Sequence, residues 1–463
     1  MWRMGEVARI VDGALISGDP STAVAGACID SRLISPGDLF VALPGEQTDG
    51  HAHVEQALAS GAAGALVQSS WAAGAGSAGA LIGVDDPLAG LQAWAAEHLE
   101  RLGAKIVGVT GTNGKTTTKE LPRAALGGGG RIGASLGNFN NQIGLPLSAL
   151  SFGSKVDTAV LEMGMSTPGE IARLVQIAPP EVVVITNIGP AHLESLGSVE
   201  AIARAKLEIM DQEPALAVLP CDAPRLLDEA RDRLGDRQAL RTFGTEREAD
   251  YRATDIEAGA GGVTRFLVNG RGPVRLRLPG AHNVLNALAA IAVAERFGSD
   301  WEAIREGLRA ARPAPMRSER LSIGGVDLIN DAYNANPASM AAAISALAAL
   351  PASGRRALVL GDMLELGELS PDYHRGVGLA ADSAGVDLLI TVGALSEQIS
   401  AAAGRLSSRG QVHHFEDPTD AAEFLASWAD RGDLVLVKAS RGMALERLID
   451  RFASVRAAEG GGS

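Results

Sequence analysis

Cysteine is nearly absent, with only Cys28 and Cys221 among 463 residues. Two thiols cannot frame a disulfide scaffold, and such sparing use suits a reducing compartment. A basic surplus is missing too: 41 Lys and Arg face 55 Asp and Glu, for a net charge of −14. That balance argues against non-specific binding to nucleic acid or anionic membranes, so an anionic ligand needs a local basic or metal-bearing site. Long apolar runs are also lacking. Residues 61–84 carry no Asp, Glu, Lys or Arg, but their six Gly and eight Ala offer too little apolar surface for a spanning helix. We expect there a short helix, a strand from Gly64 to Gln68, a Gly/Ala/Ser loop and a second strand from Ala80 to Val84. The N-terminus MWRMGEVARIVDG has charges inside it and no apolar core, so no signal peptide is expected. These absences point to a soluble, cytoplasmic chain with no membrane insertion.

What is present is an ordinary globular balance, 46% hydrophobic and 21% charged, over a length that suggests two to four domains. The 56 Gly and frequent Ala-rich stretches predict helices packed through small residues. Short strands and Gly/Pro turns fill residues 1 to about 84. A helix is expected from Asp86 to Leu102, where Leu88, Leu91, Trp94 and Leu99 recur at helical spacing. Strands and helices then alternate through AKIVGVT, VDTAVLEMG, EVVVITNIG and LAVLP, which predicts a mostly parallel sheet flanked by helices. Residues 240–280 read as a small antiparallel patch, followed by an Ala-rich helix from Val284 to Phe297. RPAPMRSERL marks a boundary near residue 312. Beyond it RRALVLGD, VDLLITVG and GDLVLVKAS predict a second, smaller doubly wound unit, and the tail AAEGGGS is expected to be disordered.

The strongest local signal is AKIVGVTGTNGKTTTKE. An apolar strand delivers the chain into Val109, Thr110, Gly111, Thr112, Asn113, Gly114, Lys115 and Thr116, and then into a helix. Gly111 and Gly114 allow a tight turn that aims successive N–H groups at an anion, and the helix N-terminus adds its own. Lys115 is placed for the β/γ-phosphates and the Thr116 hydroxyl for Mg2+. The spacing departs from the common phosphate-loop pattern, which has Gly where Val109 stands. A ligand-free Gly-rich turn is the alternative, and Gly-Lys-Thr-Thr directly after an apolar strand argues against it. Pro122 removes a helical donor and should kink or shorten the following helix.

Ligands of a parallel sheet sit beyond the carboxyl ends of its strands. Glu162 ends one such strand, and His192 follows another in NIGPAHLESLG. Either residue alone could be structural; sharing an edge with a phosphate loop, they suit Mg2+ coordination. Ser198 can cap the next helix. There Glu200, Arg204 and Glu208 form a solvated charged face at i, i+4 spacing. Val199, Ile202, Ile209 and Met210 form the apolar stripe, with Lys206 among them. A lysine so placed can snorkel, but the stripe suggests an amine turned inward toward the strand ends.

These segments resemble the Mur ligase family, which forms amide bonds in peptidoglycan precursor synthesis, over nearly the whole chain. DSRLISPGDLFVALPGEQTDGHAH resembles its uridine-nucleotide domain, which implies that Ser31 and Arg32 meet the UDP moiety. TGTNGKTT resembles the family ATP loop. GNFNNQIGLPLSAL (Asn138, Asn140, Asn141), LEMGMSTPGEI and TNIGPAHLESLGSVEAIARAKLEI resemble the branch that adds D-alanyl-D-alanine. PGAHNVLNALAA resembles the adenine-contacting segment through Asn283 and Asn286, while Arg317 and Asp331 resemble residues that reach ATP once domains close. NDAYNANPASM, with Tyr333, Asn334 and Asn336 as implied substrate contacts, and LGDMLELGE follow the same branch. The Asp-Asn-Pro-Arg signature of the diamino-acid-adding branch is not found; Asn336-Pro337 lies between Ala335 and Ala338.

The resemblance implies a three-domain α/β architecture. Residues 1–84 would form a small α/β uridine-nucleotide domain, 85–311 a central, mostly parallel-sheet ATPase domain, and 312–463 a Rossmann-like domain. It implies ATP and Mg2+ as cofactors, a carbamate on Lys206, and a metal set of Thr116, Glu162, His192 and Lys206. Lys115, Glu162, His192 and Lys206 would be the catalytic residues. The implied substrates are UDP-N-acetylmuramoyl-tripeptide and D-alanyl-D-alanine, handled by a monomer, with the third tripeptide residue open between lysine and diaminopimelate. Three competing readings remain: a diamino-acid-adding ligase, a folylpolyglutamate synthetase and a nucleotide-driven switch. Residues 1–84 speak against the synthetase, which lacks a uridine domain. The switch leaves Glu162, Lys206 and the third domain without roles.

Overall fold

The structure is a computed structural model that describes residues 1–45, 48–73, 79–127, 131–191, 193–235, 239–246, 248–259, 262–404 and 410–460. Near the N-terminus, the strands Ala27–Cys28, Leu39–Val41, Gly64–Gln68 and Leu81–Val84 run parallel, and Ala14–Ser17 joins antiparallel at one edge. The two expected strands of the uncharged stretch are present, with helices Val54–Ala59 before the first and Ser69–Ala72 after it. Most of the expected Gly/Ala/Ser loop, residues 74–78, lies outside the described residues.

Helix Pro87–Leu102 begins where Asp86 accepts a 2.8 Å hydrogen bond from the Leu88 N–H, with Pro87 at the first helical position. It ends at Gly103, whose φ of 60° is left-handed. Its buried Leu91, Trp94 and Leu99 belong to one core that also takes in Leu66 and Ile82 of the N-terminal sheet and Leu161 and Val183 of the next. The helix is therefore a shared wall between the two sheets.

Nine strands form the central sheet. In spatial order Ile132–Ala134, Thr158–Glu162, Lys105–Thr110, Val182–Ile185, Leu216–Pro220, Ala239–Gly244 and Tyr251–Ala258 are parallel; Thr264–Val268 and Arg271–Leu276 follow antiparallel. The antiparallel patch expected at 240–280 is thus an extension of the same sheet. Alternation along the strands splits them between two cores: Ile106, Leu161 and Val183 face one, Val107, Val160 and Val184 the other. Burial on both faces is why these strands read as continuous apolar runs. On the second face lies helix Ala281–Arg296, whose buried Ala287, Ala290 and Ala294 let it pack closely on helix Lys115–Ala125. Pro122 does not break that second helix, which continues to Ala125 with Pro122 buried.

The C-terminal sheet has six strands. Glu319–Ile323 pairs antiparallel with Val326–Asn330; Leu434–Lys438, Arg356–Gly361, Leu388–Val392 and Gln411–Phe415 continue in parallel. The three apolar strands expected from sequence are adjacent in its middle. The tail departs from expectation, since helix Glu446–Gly460 takes in its first four residues, and 461–463 lie outside the described residues. Among the described residues no helix is long and apolar enough to cross a membrane.

Leu91 is fully buried in the shared core. Leu91→Ala should cost about 2–5 kcal/mol, read as a lowered thermal unfolding midpoint, whereas Leu91→Met should cost less than about 1.5 kcal/mol.

Candidate active site

Register places the chemistry. Glu162 pairs with Val109, and Ile185 with Thr110, so three parallel strands end level with one another. Gly111 follows with φ 145°, and a Cβ there would lie 1.9 Å from the Thr186 hydroxyl oxygen. Gly114 has φ 78°, and its Cβ would sit 2.7 Å from Oδ1 of Asn286. Both glycines are therefore required by close approach as well as by backbone conformation.

The loop between them is pinned from the neighbouring strand end. Asn187 accepts from the Thr112 N–H through its carbonyl at 3.0 Å and from the Asn113 N–H through Oδ1 at 2.9 Å. Thr186 Oγ1 donates to the Asn113 carbonyl at 2.5 Å. The first helical bond runs from Thr118 N–H to the Gly114 carbonyl at 2.7 Å. The N–H groups of Lys115, Thr116 and Thr117 precede it at the positive end of the helix. Lys115 Nζ folds back onto the carbonyls of Gly111, at 2.8 Å, and Thr112, at 3.2 Å. Burial and, more weakly, Arg317 hold its pKa below the ordinary lysine value, with Glu162 opposing.

Glu162 is 1% exposed, and both of its oxygens are held. Thr116 Oγ1 donates to Oε2 and Asn140 Nδ2 to Oε1, each at 2.8 Å. A carboxylate with one donor on each oxygen retains lone pairs for a cation. These glycines, helix amides, lysine and carboxylate are the donor set that a nucleotide with Mg2+ needs. Among the described residues no three His, Cys, Asp or Glu cluster as a ready-made metal site. His192 lies outside the described residues.

One cavity of about 580 Å³ gathers most of the candidates. It is lined by Thr112, Asn113, Gly114, Lys115, Thr116, Asn140, Asn141, Glu162, Asn283, Asn286, Arg317, Asp331, Tyr333, Asn334 and Asn336. Asn283 donates to the Pro279 carbonyl at 2.8 Å, and Asn286 to Asn283 at 3.2 Å. Asn141 caps helix Gly144–Leu150, accepting from the Gly144 N–H at 2.8 Å. Arg317 lies 3.9 Å over the Tyr333 ring. Its neighbours Met316 and Ser318 have left-handed φ values of 59° and 53°, a strained loop secured where Ser318 N–H donates to Asp331 at 2.8 Å. Asn113 and Asn336 exchange two side-chain amide bonds, of 3.1 and 2.6 Å, which join the phosphate loop to the C-terminal unit.

Matches to known families cover the same units. Residues 23–80 match the Mur ligase family catalytic domain, 109–294 the Mur ligase middle domain and 316–441 the Mur ligase glutamate ligase domain. UDP-N-acetylmuramoyl-tripeptide–D-alanyl-D-alanine ligase of Bacillus subtilis (strain 168) is 40% identical over 448 residues, covering 96% of each chain. The chain belongs to the Mur ligase family. Two MurF crystal structures are similar in shape. That of Acinetobacter baumannii has a TM-score of 0.86 at 29% identity, over 98% of this chain and 99% of that one. That of Thermotoga maritima in complex with ADP has a TM-score of 0.82 at 31% identity, over 95% and 99%.

Not every candidate in this Mur ligase reaches the cavity. Val109 is buried in the sheet core, Thr110 has a buried hydroxyl without a hydrogen-bond partner among the described residues, and Asn138 is exposed. The cavity lining does not include Gly111, which shapes the loop from behind. Ser31 and Arg32 belong to the N-terminal unit: Ser31 donates to Gln56 at 3.0 Å, and Arg32 pairs with Asp30 while mostly exposed. Lys206 is 3% exposed and makes no hydrogen bond within the described residues. Burial foremost, then Lys115, holds its pKa well below the ordinary value. The snorkelling alternative is excluded. Two neighbours depart from expectation: Val199 is exposed, and Glu208 is not merely solvated. It accepts from the N–H groups of Gly169, at 2.8 Å, and Ala172, at 3.1 Å, capping helix Glu170–Ile177.

Among the lining residues that escaped the sequence reading are Lys438, His282 and Gln142. Lys438 Nζ donates to Asp331 Oδ2 at 2.6 Å and to the Asn334 carbonyl at 2.9 Å; it ends a parallel strand, so the strand-end rule could have found it. His282 stands beside Asn283, and burial pushes its pKa down against the pull of Asp331. Gln142 follows Asn141 directly.

Gly111→Ala should weaken ADP binding at least about tenfold, because a clash near 1.9 Å forces the loop off the Thr186 strand end; calorimetric titration with ADP measures it. Unchanged affinity would remove the loop from the nucleotide site.

Proposed function

We propose that this chain is an ATP-dependent amide ligase that joins D-alanyl-D-alanine to UDP-N-acetylmuramoyl-tripeptide in peptidoglycan precursor synthesis. The carrying observation is that one cavity is lined by the phosphate loop, by Glu162 and by Asp331, Tyr333 and Asn336 of the C-terminal unit. A nucleotide switch would need the first two only. The relatives at full length bear the same activity in their names, and the absence of Asp-Asn-Pro-Arg speaks against the diamino-acid branch.

Lys115 and the N–H groups of Lys115–Thr117 would hold the β/γ-phosphates, with Asn283, Asn286, Arg317 and Asp331 around the rest of ATP. Mg2+, held by Glu162 and Thr116, would neutralise phosphate charge. The tripeptide carboxylate attacks the γ-phosphorus, ADP leaves and an acyl phosphate forms. The dipeptide amine then attacks the acyl carbon, phosphate leaves, and the amine gives up its proton. Asn140, Asn141, Tyr333, Asn334 and Asn336 are placed to orient the two reactants, and closure around them excludes the water that would hydrolyse the acyl phosphate. Ser31 and Arg32 are assigned to the uridine end. The proposed domain boundaries 1–84, 85–311 and 312–463 are supported by three of the sheets, one that ends at Val84, the central one that ends at Leu276 and the C-terminal one that begins at Glu319. A monomer in the cytoplasm completes the reading.

Phosphate release with ATP, Mg2+ and UDP-N-acetylmuramoyl-tripeptide should require D-alanyl-D-alanine. Turnover of the dipeptide precursor with lysine or diaminopimelate, and none with the dipeptide amine, would reverse the assignment.

Lys206 is assigned a carbamate. Burial favours the neutral amine, which is the form that adds CO2; the new N–C bond forms as the nitrogen gives one proton to solvent, and the product is an anion able to face Mg2+. Lys206→Ala should fold and bind ATP yet turn over at least about a hundredfold more slowly, with partial rescue by short carboxylic acids. Full activity in this variant, or an unmodified amine in a map with nucleotide and Mg2+ bound, would sink the idea.

A further inference from the structure

Lys119 is the largest charged side chain sealed inside the molecule, at 1% exposure. A buried ammonium is tolerated only where oxygens replace its water. Lys119 Nζ has three such partners: the carbonyls of Ser135, at 2.7 Å, and Gly137, at 2.9 Å, and Glu120 Oε1 at 3.0 Å. The two carbonyls belong to the segment that leaves the edge strand Ile132–Ala134.

That segment touches Glu162 twice. Ser135 Oγ accepts from the Glu162 N–H at 2.9 Å, and five residues later Asn140 donates to Glu162 Oε1 at 2.8 Å. Thr116, which donates to Oε2 at 2.8 Å, stands three residues before Lys119 and so shares its helix face. One face of one helix therefore holds one carboxylate oxygen directly and the other through the 135–140 segment. We propose that Lys119 is a positioning residue that orients Glu162 toward its cation by anchoring this segment. The proposal rests on the reading of Glu162 as the metal carboxylate.

The test is Mn2+ binding in the presence of ADP, followed by electron paramagnetic resonance on the full chain. Lys119→Met should raise the Mn2+ dissociation constant about tenfold or more, the scale of outer-shell effects, and Lys119→Gln, which keeps one donor, by less. In a Glu162→Gln background Lys119→Met should add nothing, because the group it orients is gone. An equal loss in both backgrounds, or unchanged Mn2+ affinity in a folded Lys119→Met, would overturn the proposal. Failure of both Lys119 variants to fold would do so too, by assigning the residue to stability. If Glu162→Gln itself leaves Mn2+ affinity unchanged, the metal reading of Glu162 fails, and the positioning role with it.

Discussion

The parallel ladder around Lys105–Thr110 is the constraint from which the site follows. Hydrogen bonds to Thr158–Glu162 on one side and Val182–Ile185 on the other bring all three chains to the same edge. Past that edge the ladder stops, and Glu162, Thr186 and the phosphate loop turn into a common space. A one-residue slip would send Glu162 to the other level and separate it from Thr116. The apolar packing of both sheet faces makes such a slip costly, so burial far from the site sets the position of its carboxylate.

The second organising contact crosses between units. Asn113 and Asn336 exchange two amide hydrogen bonds, and Asn336 also caps helix Pro337–Ala349. Neutral bonds of this kind contribute roughly 0.5–1.5 kcal/mol each, net of water. Together they hold the phosphate loop against the C-terminal unit. The same residue thus links the phosphate loop to the start of a C-terminal helix, and two residues before it the Asn334 carbonyl accepts from Lys438, which also pairs with Asp331.

Charge is distributed against the global trend. A chain of net charge −14 gathers Lys115, Arg317 and Lys438 around one cavity, with Lys206 buried nearby. Lys438 is paired with Asp331, while burial lowers the basicity of Lys115 and of Lys206, the latter further through Lys115. The outcome is a cavity with basic side chains in an acidic chain, beside a buried amine whose pKa is held well below the ordinary lysine value.

Much of this was legible in order along the chain. The phosphate loop, the helix that starts near Asp86, the Ser198 cap and Glu162 at a strand end are local facts, each set by a few consecutive residues and the backbone they favour. The alternation of apolar runs likewise determined the α/β class. What local pattern could not supply is the partner that another element brings. Lys438 meets Asp331 across 107 residues, and Glu208 caps a helix 39 residues away. Lys119 reads as one more polar residue after a phosphate loop until the sheet places two carbonyls around it. The C-terminal tail shows the same limit from the other side, for helix continuation overrode what composition suggested. The sequence by itself determined which segments become strands, loops and helix starts, because those depend on neighbours within one turn. Only the tertiary structure decided which charges are buried and what they hold, because desolvation and register are properties of the assembled sheet.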